Sequence, residues 1–393
     1  MSGVRQPLRP VHLAVLALLV AAGVAVRWWI VFHTDGVYFD LNSYHLVYDG
    51  LKAHGFAVYG HVPRANWPYP PGYLPWVLLA GEQLTRWYDF EEAIRLGAVA
   101  ADVGLVLLVQ DLLGRAGVAP ARRLAGAGLV ALGPVFVNVA GFNGQVDPAA
   151  TLFALAAYWV WTRPGQRHRA LLAGVLVGIG ACVKTVPVLV LLPLVFTATS
   201  RREAVVLVAA ALAVLFAAVA PFNAETPYAV QQVGRYAGIP GFGGISLLLD
   251  PTFSADVLSG SGHGDAPVLV TLANAGPGIV LLPALAALAV LLWRRRPDAL
   301  TGICLLWLVV YAFGVSFAVA YLVWALPFLI VRGHLTAVAA IQLVFLPAQL
   351  VLFNAPVDRT LALVAYTGVL AAAWVAVTAV VAVWARRIWA AGR

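Results

Sequence analysis

The stretch that decides the fold is the first apolar run, which spans His12–Phe32 and reads HLAVLALLVAAGVAVRWWIVF. A helix needs about 20 predominantly apolar residues to cross the hydrocarbon core of a bilayer, so this run predicts a membrane-spanning helix. The run is too long for the core of a signal peptide, and Arg27-Trp-Trp stands where a cleavage site would carry small residues. We therefore expect the segment to be a retained helix.

Similar apolar runs recur along the whole chain of 393 residues, which is 62% hydrophobic and 11% charged with a mean hydropathy of +0.89. Soluble domains are about a quarter charged, so the composition predicts an integral membrane protein. We expect an all-α fold, a polytopic transmembrane helix bundle of about 12 spans forming one domain over residues 1–393. The predicted helices are 12–32, 93–113, 124–141, 149–162, 170–183, 186–199, 203–221, 268–292, 299–318, 320–331, 335–353 and 360–385.

The net charge of +8 would suit a nucleic-acid-binding protein, but the placement of the charges argues against one. Seventeen of the 25 basic residues fall in short gaps between apolar runs, and only Glu203 and Asp298 of the 17 acids join them. This is the positive-inside pattern, which makes those gaps and both termini cytoplasmic. The basic residues in the gaps are Arg5, Arg9, Arg115, Arg122, Arg123, Arg163, Arg167, Arg169, Arg201, Arg202, Arg294, Arg295, Arg296, Arg332, Arg386, Arg387 and Arg393.

Two outer loops are long, residues 33–92 and 222–267, and we expect both to carry short interfacial helices. The apolar segment Tyr73–Trp87 belongs to the first loop, because counting it as a crossing would invert every later loop relative to the arginines. We interpret it as an interfacial or re-entrant helix on the outer side. Long loops in compact folds are often functional, so both are candidates for the site.

Asp40 is the main candidate catalytic residue, in the stretch Asp35-Gly-Val-Tyr-Phe-Asp40-Leu-Asn-Ser-Tyr44 just after the first apolar run. A carboxylate at the membrane face can act as a general base towards an acceptor hydroxyl. The alternative is a solvated loop acid. Asp35 and Asp49 serve as comparisons, since they are the same residue type without a comparable aromatic setting.

The turn Asn143-Gly-Gln-Val-Asp147-Pro lies between two predicted helices on the outer side. Asp147 before Pro148 is a plausible helix N-cap. In the functional alternative, Gln145 and Asp147 face a cavity shared with Asp40 and bind the substrate. Both roles are compatible.

Lys184 stands at the hinge of a helical hairpin, Cys182-Val-Lys184-Thr-Val-Pro187. Ionisable residues within a membrane are functional candidates by default, and a lipid-linked phosphate would be a suitable counter-ion. The alternative is a lysine that snorkels to the outer interface. Asp102, inside the second predicted helix, is expected to face a polar group of a neighbouring helix and receives no functional role.

The second outer loop contains Arg235, Tyr236 and His263 together with a glycine-rich run, Gly238–Gly244. Glycines let backbone N–H groups approach an anion, so this loop could form a phosphate or sugar site; a flexible loop is the alternative. Tyr321 opens an apolar, aromatic stretch at the outer face. It is either an interface anchor or part of a wall for an apolar tail.

Taken in order, these motifs resemble the GT-C superfamily of membrane glycosyltransferases, from Arg27 to about Phe328. The nearest likeness is to the bacterial branch that uses polyprenyl-phosphate mannose and to the GPI mannosyltransferases. The residues that carry the resemblance are Asp40 with Tyr44, Tyr69-Pro-Pro71, Gly144-Gln-Val-Asp147, Lys184 with Pro187 and Pro193, Tyr236, Gly238, Phe242-Gly-Gly-Ile-Ser246 and Tyr321-Leu-Val-Trp-Ala-Leu-Pro327.

The resemblance implies an inverting glycosyltransferase, most simply a mannosyltransferase, with a polyprenyl-phosphate sugar donor and a lipid or glycan acceptor hydroxyl. Asp40 would be the base. The implied substrate-binding residues are Tyr44, Tyr69, Gln145, Asp147, Lys184, Arg235, Tyr236, His263 and Tyr321.

Some branches of this superfamily bind a divalent metal through paired acids, but here the second acidic motif carries the single acid Asp147, so we expect neither a metal nor another cofactor. High alanine and arginine content with only two lysines suggests a GC-rich bacterial source, and hence a bacterial plasma membrane with the site on the outer face. A polytopic transporter or lipid flippase is the competing class, although no internal repeat supports it. An inactive relative that serves as a partner subunit is the third possibility.

Overall fold

The computed structural model describes residues 7–163, 165–227, 243–258, 271, 275–353 and 358–390. These residues form helices and turns without any β-strand, which confirms the all-α prediction. They divide into two compact units. Among the described residues, the first unit holds everything up to residue 227 together with Leu326–Ala339, and the second holds residues 243–325 and 340–390.

Most predicted spans in the first unit match a helix to within a few residues, but the predicted span 124–141 is divided into Pro120–Ala131, Pro134–Val137 and Asn138–Phe142, and the helix Tyr38–His54 in the first outer loop corresponds to no predicted span. The helices of this unit are α1 Pro10–His33, α2 Tyr38–His54, α3 Leu74–Glu82, α4 Phe90–Arg115, α5 Pro120–Ala131, α6 Pro134–Val137, α7 Asp147–Trp161, α8 Arg169–Val183, α9 Leu191–Phe196 and α10 Arg201–Glu225. Short 3₁₀ segments occupy Gly55–Gly60, Pro71–Tyr73, Leu84–Arg86 and Val186–Val190, and a π-helical turn occupies Asn138–Phe142.

The second unit contains α11 Phe253–Leu258, α12 Leu282–Arg295, α13 Ala299–Phe313, α15 Leu335–Phe353, which starts in the first unit, α16 Arg359–Ala362 and α17 Val369–Ala390. The remaining helix, α14 Leu326–Arg332, belongs to the first unit. Gly244–Leu248 and Val319–Trp324 are 3₁₀ segments, and Pro277–Leu281 and Leu363–Gly368 are π-helical. The predicted helix 268–292 corresponds to the stretch that ends at Arg295.

Six helical stretches of the described chain are long and apolar enough to cross a membrane, and the other apolar helices are shorter. The six are Pro10–His33, Phe90–Arg115, Pro120–Phe142, Arg201–Glu225, Pro277–Arg295 and Arg359–Ala390. The nine residues of α3 span about 14 Å at 1.5 Å per residue, too little for a crossing. The segment Tyr73–Trp87 therefore contains no membrane-spanning helix.

Local sequence explains where the long helices begin. Asp89 and Glu92 form a capping box at the start of α4, with the Asp89 amide donating to Glu92 Oε2 at 3.0 Å. Ser200 caps α10 by accepting from the Glu203 amide at 3.1 Å. Each of these capping residues lies immediately before the first residue of a long apolar helix.

Glycines allow the close packing of α8 against α10. A Cβ on Gly178 would lie 2.7 Å from the Ala211 carbonyl oxygen, and Gly174, one turn earlier, faces Leu207 equally closely. This is the small-residue spacing that lets helices approach inside a membrane. The packing fixes α8, and with it the hinge at Lys184, in the first unit.

One ion pair lies deep among the helices of the first unit. Arg27 of α1 donates to Asp102 Oδ2 of α4 from Nε at 3.0 Å and from Nη2 at 2.8 Å, and both side chains are 2% exposed. Arg27 also donates to the Val130 and Ala131 carbonyls at the end of α5. The expectation that Asp102 faces a polar group of another helix is correct, and Arg27 is that group.

Candidate active site

Asp40 lies in the first turn of α2, a helix of 17 residues that is longer than the short interfacial helices expected in this loop. The side chain is half-buried, whereas Asp35 and Asp49 are exposed. Asp40 is hydrogen-bonded to the side chain of Gln145, which comes from the turn before α7. The structure thus brings the first outer loop next to the Asn143–Asp147 turn, which is the arrangement described by the functional alternative.

Gln145 also links Asp40 to the tyrosine-proline segment. The hydroxyl of Tyr69 donates to Gln145 Oε1 at 3.4 Å, a long contact. Asp40, Gln145 and Tyr69 are all half-buried, so each presents part of its surface for contact with a substrate. The three side chains form one continuous polar surface in the first unit.

A buried ion pair stands next to this surface. Lys184 Nζ lies 2.7 Å from Asp147 Oδ1, with the lysine side chain 10% and the aspartate side chain 1% exposed. The amine also lies 5.2 Å from the centre of the Tyr69 ring, within the range of a cation–π contact. Burial rules out the snorkelling alternative for Lys184, since a snorkelling amine reaches water.

Asp147 is not the N-cap of α7. Val146 occupies the cap position without a side-chain hydrogen bond, and Asp147 is the first residue of the helix. Its carboxylate binds Lys184 instead of the backbone of its own helix. Lys184, for which a lipid-linked phosphate was one suggested counter-ion, therefore has a counter-ion within the protein.

The pKa of Asp40 is raised from 3.8 to about 6, first because burial penalises the charged form. The hydrogen bond from Gln145 favours the ionised carboxylate and lowers the pKa, Asp147 raises it, and Lys184 lowers it. Asp40 is consequently ionised above about pH 6 but more basic than an ordinary aspartate, a property suited to a general base.

The turn that carries Gln145 is held by residues on both sides. Tyr44 Oη donates to the Gly144 carbonyl at 2.9 Å, and Tyr44 is 3% exposed. Gly144 has φ +65°, and a Cβ there would lie 2.6 Å from Arg95 Cγ. Tyr44, expected to bind substrate, therefore uses its hydroxyl to fix this turn against α2.

Arg95 is a structural contributor that sequence reasoning missed. It is 2% exposed in α4 and donates to the carbonyls of Val31 at 2.7 Å and Thr34 at 3.1 Å, at the end of α1. Its side chain also packs on Gly144. The available signal was an arginine within the first two turns of an apolar helix, where an unpaired charge would be unfavourable.

The segment Trp67–Tyr73 closes the other side of the site. Tyr59 Oη donates to the Tyr69 carbonyl at 2.8 Å, which fixes the backbone of that residue. A Cβ on Gly72 would lie 2.5 Å from the carbonyl carbon of Cys182, so only glycine lets this turn rest on the end of α8. That contact places Tyr69 beside Lys184.

Tyr321 lies in the second unit, within an aromatic cluster. Its ring stacks on Trp324 at a centroid distance of 4.3 Å, and its carbonyl accepts from Tyr311 Oη at 2.5 Å. Arg235, Tyr236 and His263 lie outside the described residues, and their roles stay predictions.

Two glycines of the second outer loop are described. Gly243 and Gly244 have φ +97° and +64°. A Cβ on Gly244 would lie 2.5 Å from the Gly314 carbonyl oxygen, and the Ile245 amide donates to that same oxygen at 3.0 Å. These two glycines therefore serve a close approach to the end of α13.

The described part of the chain brings no three His, Cys, Asp or Glu side chains together in a way that could hold a metal ion. At the candidate site the ammonium group of Lys184 neutralises Asp147. The described residues there do not fit a divalent cation.

The model of glycosyltransferase family 87 matches residues 67–316, well over half of the chain. The chain belongs to this family. Glycosyltransferase family 87 consists of membrane glycosyltransferases of the GT-C type, so the match confirms the resemblance drawn from the motifs. The matched segment includes Tyr69, Gln145, Asp147 and Lys184, while Asp40 precedes it and joins the site through Gln145. No curated protein is similar enough to count as a match.

Proposed function

We propose that this membrane glycosyltransferase transfers mannose from a polyprenyl-phosphate donor to a lipid or glycan hydroxyl, with inversion and with Asp40 as general base. The observation that carries the catalytic part is the half-buried Asp40 carboxylate, bound by Gln145 and raised in pKa to about 6. The identity of sugar and donor rests on the resemblance of the motifs.

In the proposed reaction the acceptor oxygen attacks the anomeric carbon of the sugar while the bond from that carbon to the phosphate oxygen breaks. Asp40 takes the hydroxyl proton, and the electron pair of the broken bond leaves with polyprenyl phosphate. One displacement inverts the anomeric configuration. Gln145 orients the carboxylate, and Tyr69 is placed to contact the sugar beside it.

Lys184 acts in this proposal through its positive charge. It is 8% exposed and paired with Asp147, yet it lowers the pKa of Asp40 and thereby favours the ionised base. A developing negative charge on the leaving phosphate would be stabilised by the same amine. Arg235 remains the predicted second cation for the phosphate.

Transport is less well supported than sugar transfer. The two charged groups that favoured it, Lys184 and Asp102, are both in buried ion pairs with Asp147 and Arg27. A buried charge that already has a partner of opposite sign in the protein needs no transported ion to neutralise it.

The decisive experiment is sugar transfer by purified protein in nanodiscs, with polyprenyl-phosphate mannose as donor and a lipid extract as acceptor source. Asp40→Asn should lower the rate by about 10²–10⁴-fold, the usual contribution of a general base. Asp49→Asn is the matched control, being an exposed carboxylate on the same helix, and should keep wild-type activity.

Full activity in Asp40→Asn would refute the role of the base. Transfer only with a glucose or arabinose donor would refute mannose and leave Asp40 in place. An inactive wild type, with bound donor detected, would favour the partner-subunit alternative.

A further inference from the structure

The second unit contains a long apolar groove that is separate from the candidate active-site residues. It encloses about 590 Å³ between the Pro277–Leu281 turn, α12, α13 and α17. Pockets for small ligands measure about 300–1,000 Å³, so the groove is large enough for a bound molecule. Its walls include Ile279, Leu288, Leu305 and Phe313, all apolar.

The groove has the length of one membrane leaflet. Its lining residues on the first wall run from Ile279 to Leu291, about 18 Å at 1.5 Å per helical residue. Half of a hydrocarbon core of about 30 Å is about 15 Å. Ile279 is 71% and Val290 46% exposed in the protein alone, so this face is open to the surrounding lipid.

One end of the groove is positively charged. Arg386 and Trp389 line it there, and the guanidinium carbon of Arg295 lies 4.5 Å and that of Arg294 5.7 Å from the centre of the Trp389 ring. Arg295 Nε is buried and has no hydrogen-bond partner among the described residues. A buried donor of this kind favours an acceptor from outside the protein.

The charged end faces the cytoplasm by the positive-inside rule. Arg294–Arg296 and Arg386–Arg387 all stand there, and Asp298, the nearby acid, is engaged in capping α13. Basic pockets between membrane helices on the cytoplasmic side suit anionic lipid headgroups. The apolar walls suit the acyl chain of the same molecule.

We propose that this groove is a binding site for an anionic phospholipid of the cytoplasmic leaflet. One acyl chain lies along α12, and the phosphate group binds Arg386 and Arg295 beside Trp389. The charge at one end and the leaflet-length apolar walls together select this occupant over a second protein copy, which would bring its own basic end against these arginines. The site is independent of the proposed sugar donor.

The test uses Trp389 as a reporter in the full-length protein. Nanodiscs are prepared with phosphatidylglycerol or phosphatidylcholine brominated on the acyl chains, and the Trp389 signal is the difference between wild type and Trp389→Phe. Brominated phosphatidylglycerol should quench Trp389 at a lower mole fraction than brominated phosphatidylcholine. Retention of phosphatidylglycerol in detergent, measured by native mass spectrometry, gives a second readout that does not need the Phe variant.

Arg295→Gln and Arg386→Gln should each reduce the preference for phosphatidylglycerol about fivefold, the effect expected for one arginine near an anionic surface. Arg386→Lys should retain it. Arg122→Gln is the matched control, because it removes an exposed arginine from the same membrane side outside the groove, and it should leave the preference unchanged.

Equal quenching by both lipids would overturn the proposal, as would a loss of preference in Arg122→Gln equal to that in Arg386→Gln. If polyprenyl phosphate displaced phosphatidylglycerol even when present at a lower mole fraction, the groove would be a binding site for the polyprenyl carrier instead. A stable dimer with unquenched Trp389 would show that a second copy covers the groove.

Discussion

At the scale of single residues, Asp40 shows how position changes the chemistry of a carboxylate. Asp35 and Asp49 lie close in sequence and remain exposed, whereas Asp40 is half-buried against Gln145. Removing water penalises the ionised form, and the amide hydrogen bond together with Lys184 offsets part of that penalty. The residue therefore titrates close to neutral pH.

The pH dependence of transfer should report this carboxylate. Because its pKa is raised from 3.8 to about 6, the base is ionised above pH 6 and becomes protonated below it. We expect kcat/KM to fall about tenfold per pH unit below about pH 6. The profile of purified enzyme, with donor and acceptor held well below saturation, measures this limb.

An unchanged rate down to pH 5 would contradict the assignment. Stability provides a control that does not depend on turnover. Because the pKa of Asp40 is higher in the folded protein, ionisation of this carboxyl has little effect on stability below pH 3.8. The destabilisation grows as the pH rises from 3.8 to about 6 and is complete above that. Asp40→Asn should therefore raise the melting temperature at pH 7.5 and leave it unchanged at pH 3.5.

At the scale of elements, α7 and α8 bring the two halves of the ion pair together. Asp147 begins α7, and Lys184 follows the last residue of α8 in an extended conformation. The other ends of these helices carry Arg163 and Arg169, whose guanidinium carbons lie over Trp159 and Trp161 at 5.2 and 4.9 Å. The 15 residues of α7 therefore separate the site from the basic end by about 22 Å.

Removing one member of the Lys184–Asp147 pair should lower the free energy of unfolding more than removing both members. Lys184→Gln or Asp147→Asn each removes one member of a buried ion pair, which costs about 3–5 kcal/mol. The double variant should be more stable than either single variant. Unfolding of the four proteins in detergent measures the coupling.

The exposed pair Lys52–Glu82, 2.6 Å apart with side chains 55% and 39% exposed, is the control for this cycle. Its loss should cost at most about 1 kcal/mol, since water screens an exposed pair. Additive losses for Lys184 and Asp147 would contradict a direct interaction between them.

The contact between α8 and α10 should tolerate no side chain at Gly178. A Cβ there would lie 2.7 Å from the Ala211 carbonyl oxygen, so Gly178→Ala must push the helices apart, at about 1–3 kcal/mol. We expect a lower yield of folded protein and a lower melting temperature. Gly128→Ala is the matched control, because its Cβ would meet Leu19 only at 3.7 Å. Equal stability of the two variants would argue against this close packing.

At the scale of the whole molecule, the distribution of charge predicts sidedness. The chain has two cysteines, Cys182 and Cys304, which are 4% and 0% exposed, so wild type should resist maleimide labelling. Asp49→Cys should react with an impermeant maleimide on intact cells, because α2 is expected on the outer face. Arg122→Cys should react only after permeabilisation.

Labelling of Arg122→Cys in intact cells would show that the orientation is the reverse of the one proposed, with the active site on the cytoplasmic face. Transfer activity in Asp49→Cys provides the check that the reporter leaves the enzyme intact. Labelling both variants in detergent checks that the two introduced cysteines are equally reactive when both are accessible.

The sequence by itself determined the membrane class, the all-α architecture, most helix boundaries and the order of motifs that indicates a glycosyltransferase. The first three depend on the length of the apolar runs and on charge placement, which are local properties of the chain, and the glycosyltransferase class rests on the resemblance of the motifs. It also pointed to Asp40, Gln145 and Lys184, because polar residues are conspicuous beside apolar runs.

Only the tertiary structure decided how these residues are used. Lys184 pairs with Asp147 across 37 positions, Arg27 with Asp102 across 75, and Tyr44 holds Gly144 across 100. Such partners are chosen by which helices pack together, and small contacts such as Gly72 on Cys182 set that packing. The same burial raises the pKa of Asp40, since desolvation depends on the atoms that surround a carboxylate and not on its neighbours in sequence.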